Sequence, residues 1–402
     1  MVVFLFSKMV YKSIKMNKKS KLIRVTTVPL SLDKLIGGQM GFMKNSFEVI
    51  GMSSDLNSLK KIAIEEGVRI ACIPLNRKIT PIKDLFALLK MFFFLRNEKP
   101  FIIHTHTPKA GIIGMLAAKL AGVPCRLHTV AGLPLLEIEG SKRKLLNFVE
   151  KLTYACATKV YPNSQGLKNI IIQNNFIEQE KLKVIANGSS NGINTAYFNP
   201  DLFFAKEMNL LKENLKITET DVVFIFVGRL VRDKGINELV AAFDKLSKRF
   251  QNIKLLLVGA FESDLDPLNN HTLKIIDDNS AILSAGFQQD VRPYFAIADA
   301  LVFPSYREGF PNVVLQAGAM GLPAIVSDIN GCNEIIKEEE NGLIISVKNA
   351  EAIYKAMKRV LEDPALKNTL QNNARNRITE LYEQNIVWEA LLKEYKSLEK
   401  NV

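Results

Sequence analysis

The sequence predicts an α/β protein made of two doubly wound, parallel-sheet domains that face a central cleft. Three observations predict it. From Lys21 onward short β-branched runs alternate with helical patterns, the signature of parallel layering. The alternation breaks once, in the turn-rich stretch NGSSNGINTAYFNP from Asn187 to Pro200, and then resumes. The length of 402 residues, at roughly 150 per domain, allows two separate hydrophobic cores.

Taken in order, the first residues, MVVFLFSKMVYKSIK, have too short an apolar part for a signal peptide, and lysines follow it. Residues 1–15 are therefore read as an extension outside the fold, with a small amphipathic membrane foot as the alternative. Met16 opens the first domain, expected over 16–200, with strands IRVTTV, FEVIGM, VRIACIPL, FIIHTH, CRLHTV, TKVYPN and KVIA. The second, expected over 201–382, holds DVVFIFVG, IKLLLVGA, AILSAG, ALVFPS, PAIVSD and GLIISV. From about Ala365 to Lys400 the chain reads as helical. Ile386, Trp388, Leu391, Leu392 and Tyr395 have helical spacing, which predicts packing against a domain face.

Composition excludes several classes. With 48% hydrophobic and 23% charged residues, the chain is neither disordered nor collagenous. Cys72, Cys125, Cys156 and Cys332 lie far apart without a C-x-x-C pair, so neither a zinc site nor a disulfide framework is indicated, and a reducing cytoplasm fits. The net charge of +12 is uneven: 29 Lys and Arg face 12 Asp and Glu in residues 1–200, against 24 and 29 thereafter. A basic domain seeks phosphates, on anionic lipid or on a small molecule. Nucleic acid is not expected, because no helix-turn-helix, zinc-finger, RNP or bZIP pattern accompanies the charge. The longest apolar runs, Leu85 to Leu95 and Ala110 to Val123, fall short of a membrane span and are interrupted by lysine. They read as core-facing helices, with peripheral bilayer contact as the alternative.

Two segments carry chemistry. The first strand of the second domain ends in GRLVRDKG, where Gly228 lets a ligand approach the backbone and Arg229 and Lys234 set two cations at the cleft mouth. That pair suits a pyrophosphate. The second segment is SYREGFPNVVLQAGAMGLPAIVSD, Ser305 to Asp328. Glu308, Gly309, Phe310, Pro311 and Asn312 form a loop leading into a helix, whose free amides can hold a phosphate. Glu308 can accept hydrogen bonds from sugar hydroxyls. Gln316, one turn beyond Asn312, faces the same way and can reach a ribose.

Together these segments resemble the retaining glycosyltransferases of the GT-B fold, family 4, and the resemblance covers residues 20 to 400. It implies two Rossmann-like domains, with residues 383–402 crossing back to the first. It implies that Arg229 and Lys234 hold the donor's diphosphate and that a paired-glutamate motif grips donor sugar and ribose. Glu308 matches the first glutamate; Gln316 stands where the second is expected. The linker NGINTAYFNP is similar to the family's hinge, and SLDKLIGGQMGF to its glycine loop, with Gly37 and Gly38 facing the donor phosphates. HTHTPKAG, TVAGLP and YPNSQG resemble members that build capsule, O-antigen or other surface glycans on undecaprenyl diphosphate. The implied activity is transfer of a hexosyl or N-acetylhexosaminyl group from a nucleotide-diphosphate sugar, UDP-linked, to a lipid-linked glycan. The implied place is the inner face of the cytoplasmic membrane, on an anionic surface, with no metal or other cofactor.

His104 and His106 alternate along one strand and end beside Lys109, which suggests an acceptor-side role for all three. Many relatives carry a histidine in the turn that here reads Thr129-Val130-Ala131-Gly132, so Ala131 replaces it and His128 is a substitute only if it faces the cleft. Asp264-Leu265-Asp266 matches the D-x-D metal motif of GT-A enzymes but reads as surface chemistry. The rival readings are a UDP-sugar epimerase of the same fold and a non-catalytic nucleotide-sugar-binding subunit.

Overall fold

The computed structural model describes residues 19–133, 139–262 and 266–400, so residues 1–15 lie outside it. The first sheet comprises β1 (Lys21–Val25), β2 (Glu48–Ser53), β3 (Arg69–Cys72), β4 (Ile102–Thr105), β5 (Cys125–Val130) and β6 (Lys159–Pro162). The second comprises β7 (Val222–Val227), β8 (Ile253–Val258), β9 (Ile282–Gly286), β10 (Ala300–Phe303), β11 (Ala324–Ser327) and β12 (Gly342–Ile345). Their orders are β3-β2-β1-β4-β5-β6 and β12-β11-β10-β7-β8-β9, the same topology twice, with the strands pairing in parallel. The GT-B expectation holds.

Helices cover both faces of each sheet, so the strands read as continuous apolar runs. Every residue of Ala300–Phe303 and Ala324–Ser327 is buried. In both sheets the order reverses beside the first strand, between β1 and β4 and between β7 and β10. Ligands of such sheets bind outside the carboxyl ends of the strands at that point.

One expected strand is absent. Only Leu182, just before the KVIA run, bridges to Val160, and the Lys183 N–H adds one bond to the Val160 carbonyl. Ala186 at φ +48° and Gly188 at φ +99° then turn the chain out of the sheet toward the linker.

The chain crosses between the domains twice, and the crossings bond to each other. Ile193 N–H donates to the Tyr382 carbonyl at 2.9 Å, and Gln384 N–H to the Ile193 carbonyl at 3.0 Å. Helix Pro364–Tyr382 packs on the second domain, where Ile378 lies over Gly318. Helix Gln384–Lys400 instead joins the first domain, where Leu391 and Tyr395 share a core with Leu22, Ile102, Leu127 and Tyr161. Its polar contacts are specific. The Tyr395 hydroxyl meets His104 Nδ1 at 2.5 Å, Tyr161 donates to Glu394 at 3.1 Å, and Trp388 Nε1 donates to Asn191 in the linker at 2.7 Å.

Because Tyr395 and His104 are both buried, Tyr395→Phe strands a ring nitrogen without its partner. The expected cost is about 1–3 kcal/mol. Calorimetric unfolding should show a lowered first-domain transition, and an unchanged midpoint would mean the bond contributes nothing to docking.

Candidate functional site

A cavity of about 300 Å³ opens between the two sheets at their carboxyl ends. Its first-domain wall comes from Leu35, the residues His106, Thr107 and Pro108 that follow β4, the turn Thr129–Leu133 that ends β5, and Glu150 on helix Gly140–Cys156. The second-domain wall comes from Arg229 after β7, Asp233 and Lys234 in the short turn Arg232–Lys234, Arg307, Glu308 and Gly309 after β10, and Asn330 after β11.

Local sequence explains the placement of Lys234. Gly235, at φ +72°, ends the turn so close to β10 that a methyl group there would lie 2.2 Å from the Pro304 carbonyl oxygen. Only glycine permits that approach. It brings the Lys234 ammonium onto the Glu308 carboxylate and 5.7 Å from the centre of the Phe303 ring. Ser305 Oγ donates to the same carboxylate oxygen at 2.9 Å. The other two cations are also paired, Arg229 with Glu262 at 2.8 Å and Arg307 with Asp233 at 3.0 Å. Arg229 keeps 48% of its side chain exposed, whereas Lys234 keeps 17%, so Lys234 is the more desolvated cation.

The walls touch beyond the cavity. Gly309 rests on the β5 turn, where an added methyl would lie 1.8 Å from the Ala131 carbonyl oxygen. Asn330 Nδ2 holds the Glu308 and Gly309 carbonyls. Four residues on, the Glu334 carboxylate accepts from the N–H groups of Gln165 and Gly166 at 2.7 and 2.9 Å, so a second-domain carboxylate caps the first-domain helix Gln165–Gln173.

The cleft histidines are neutral. His106 Nε2 accepts from Arg24 Nε at 3.0 Å, so its proton resides on Nδ1. Burial, then electrostatic interaction with His104 and with the Arg24 guanidinium, holds His106 well below its ordinary value. Burial pushes His128 down to about 4, against a smaller opposing effect of its bond to Thr105.

Of the residues singled out from sequence, Arg229, Lys234, Glu308, Gly309, His106 and His128 line this cavity. Gly228, at φ +150°, lies just behind Arg229. The others are elsewhere. Gly37 and Gly38 are not in the cavity lining: the Gly37 carbonyl accepts from Asn191 and Gln384, and the Trp388 ring covers Gly38. His104 is an interior residue bonded between Tyr395 and Thr129. Lys109 turns away to pair with Asp84 on helix Pro81–Glu98. Phe310 packs against Tyr382 with ring centres 5.5 Å apart. Pro311 and Asn312 start the helix Asn312–Ala319 without a side-chain cap, and Gln316 is half-buried one turn along it, outside the cavity lining. Asp264 lies outside the described residues, and Asp266 is occupied by Arg232 and by the Asp233 N–H. Among the described residues no three His, Cys, Asp or Glu side chains converge as a metal site.

Glu150, Asp233, Arg307 and Asn330 were not anticipated. Asp233 and Arg307 sit inside the two motifs and their proximity to Lys234 and Glu308 was a usable signal. Glu150 lies mid-helix in LLNFVEKLTYAC, where no local pattern marks it.

The sequence profile described as "Glycosyl transferases group 1" matches residues 207–377, and "Glycosyl transferase 4-like domain" matches 60–188. The capsular polysaccharide biosynthesis glycosyltransferase CapM of Staphylococcus aureus is 33% identical over 385 residues, 95% of this chain and 98% of the relative. The chain belongs to the group 1 glycosyltransferases. A second glycosyltransferase, the UDP-Gal:alpha-D-GlcNAc-diphosphoundecaprenol alpha-1,3-galactosyltransferase of Escherichia coli, is 30% identical over 374 residues, 90% and 94% of the two chains. Among solved structures, a glycosyltransferase from Rickettsia africae superposes with a TM-score of 0.77 at 22% identity, covering 96% of this chain and all of that one. Anabaena Alr3699/HepE in complex with UDP gives 0.75 at 17%, covering 94% and 100%. These two likenesses concern the fold.

In this glycosyltransferase Lys234 is the desolvated cation of the cleft, so Lys234→Ala should lower turnover by roughly 100- to 1000-fold, as loss of one preorganised group facing a developing anion does. Circular dichroism should remain that of wild type, and an unchanged turnover would place the leaving group elsewhere.

Proposed function

We propose that the enzyme transfers a sugar from a UDP-sugar, with retention of configuration, onto an undecaprenyl-diphosphate-linked glycan in surface polysaccharide synthesis. The observation that carries the reading is the charge arrangement of the cleft, where Lys234 pairs with the Glu308 carboxylate and Arg229 lines the same cavity. A diphosphate fits the cations and a sugar's hydroxyls fit the carboxylate. The Escherichia coli relative is named for UDP-Gal and a diphosphoundecaprenol acceptor, and a Campylobacter jejuni relative for N,N'-diacetylbacillosaminyl-diphospho-undecaprenol. Gln316 would meet the ribose with an amide in place of a carboxylate.

In this reading the acceptor hydroxyl oxygen forms its bond to the anomeric carbon on the face from which the diphosphate departs. The bond to the diphosphate oxygen breaks with its electron pair, and that oxygen takes the hydroxyl proton. Arg229 and Lys234 stabilise the negative charge as it develops, so no metal is required. The neutral His106 and His128 leave that field undisturbed. Asp266, already engaged by Arg232 and a backbone N–H, is not a free metal ligand.

Contact with the cytoplasmic membrane face is part of the same proposal. Helix Pro81–Glu98 exposes Ile82, Leu85, Phe86, Leu89 and Phe93, which recur along one face. Helices Pro108–Ala121 and Gly140–Cys156 pack beside it in turn and expose Leu120, Leu145 and Phe148, with Lys142, Arg143 and Lys144 at the start of the last. No helix of the described residues is long and apolar enough to cross a membrane. Apolar side chains among lysines suit an anionic interface.

The deciding experiment incubates labelled UDP-sugars with undecaprenyl-diphosphate-linked acceptors and EDTA. Label should enter the organic-extractable lipid despite the chelator. Loss with EDTA and rescue by manganese would overturn the metal-free part. Interconversion of UDP-sugars without acceptor would support the epimerase, and UDP binding without turnover the non-catalytic subunit.

The enzyme should also sediment with anionic vesicles, less so as salt rises. Phe86→Asp with Phe93→Asp should weaken that binding. Equal sedimentation with neutral and anionic vesicles would exclude an electrostatic contribution.

A further inference from the structure

Glu150 stands apart from every other charged group in the cavity. It is the single charged residue on the first-domain wall among the described residues. On the opposite wall each carboxylate has a cation, Asp233 with Arg307 and Glu308 with Lys234, whereas Glu150 has no ion pair among the described residues. The other first-domain residues that line the cavity, among them His106, His128, Thr129, Val130 and Leu133, are neutral.

Its surroundings are also built rather than incidental. Tyr154, one helical turn along and fully buried, turns its hydroxyl toward Glu150 as a weak hydrogen-bond partner, outside strict geometry. The Tyr154 ring stands 6.0 Å from that of His128, so the wall behind the carboxylate is a packed aromatic layer. Burial holds the Glu150 carboxyl above its ordinary value, against a smaller opposing pull from Tyr154. A partly desolvated carboxylate that faces a cavity with no cation beside it keeps acceptor positions that a ligand's hydroxyls can fill.

That ligand is not the diphosphate, because a carboxylate repels a phosphate and the cations that attract one are on the other wall. It is a neutral group rich in hydroxyl donors. We infer that Glu150 is an acceptor-recognition residue, accepting hydrogen bonds from hydroxyls of the acceptor's terminal sugar and holding that sugar across the cavity from Lys234 and Glu308. The inference rests on the proposed glycosyl transfer and adds the residue that distinguishes the acceptor sugar. Glu150 exchanges no proton in this role; it aligns the sugar whose hydroxyl attacks.

The test measures steady-state kinetics with UDP-sugar donors and undecaprenyl-diphosphate-linked N-acetylglucosamine, N-acetylgalactosamine or N,N'-diacetylbacillosamine, using whichever acceptor serves wild type best. Glu150→Ala should raise the acceptor KM by about 10- to 100-fold, the range of a charged hydrogen bond. The donor KM and the calorimetric affinity for UDP should stay within about twofold. Glu150→Gln, which keeps the shape and one acceptor oxygen, should raise the acceptor KM by roughly 3- to 10-fold, and it carries the test if the alanine variant fails to fold. An acceptor KM unchanged in Glu150→Gln and Glu150→Ala overturns the inference. So does a parallel loss of UDP affinity, which would assign Glu150 to the donor or to the fold. A wild type that moves sugar to none of these acceptors overturns the functional reading, and this inference falls with it.

Discussion

Everything in this molecule depends on two sheets presenting their carboxyl ends to one shared gap. Neither sheet forms the cleft alone. The chain must therefore pass from one domain to the other and back, and the two passages are tied through Ile193, which donates to Tyr382 and accepts from Gln384 in the returning segment. Glu334 adds a second tie nearer the cavity, with its carboxylate against the amides that open a helix of the opposite domain. The separation of the walls, and hence what fits between them, follows from these contacts.

The charges are arranged with a strong asymmetry. The second domain supplies the cations and their carboxylates, and the first supplies neutral imidazoles, small residues and Glu150. That division agrees with the chemistry of a leaving anion held on one side and a neutral nucleophile approached from the other. His106 shows how it is maintained. The buried guanidinium of Arg24 donates to its Nε2, and a second proton on that ring would place two cations in contact inside the core.

The fold was legible because parallel sheets buried on both faces leave apolar runs that the eye can count. The KVIA run shows the boundary of that signal: its composition suits a strand, but Ala186 and Gly188 bend it away after one bridge. Arg229, Lys234 and Glu308 were legible because each lies at a strand end inside a motif a few residues long. Gly37, Gly38, His104 and Lys109 stand outside the cavity lining for one reason. Their surroundings are set by partners hundreds of residues away or by a neighbouring helix, such as Trp388, Tyr395 and Asp84, and no local spacing reveals them. Glu150 was invisible for the converse reason, since a glutamate in mid-helix is ordinary until the opposite wall is known.

The returning helix has a practical meaning for recombination. Its 17 residues, Gln384–Lys400, complete the core of the first domain although they follow the whole of the second. The second domain is thus an internal cassette, bounded by the linker at one end and by Tyr382–Gln384 at the other. A hybrid joined only at the linker would pair one parent's Tyr395 with another parent's His104 pocket. Exchange between relatives has to cut twice, and the tail has to stay with the half it inherits its partners from.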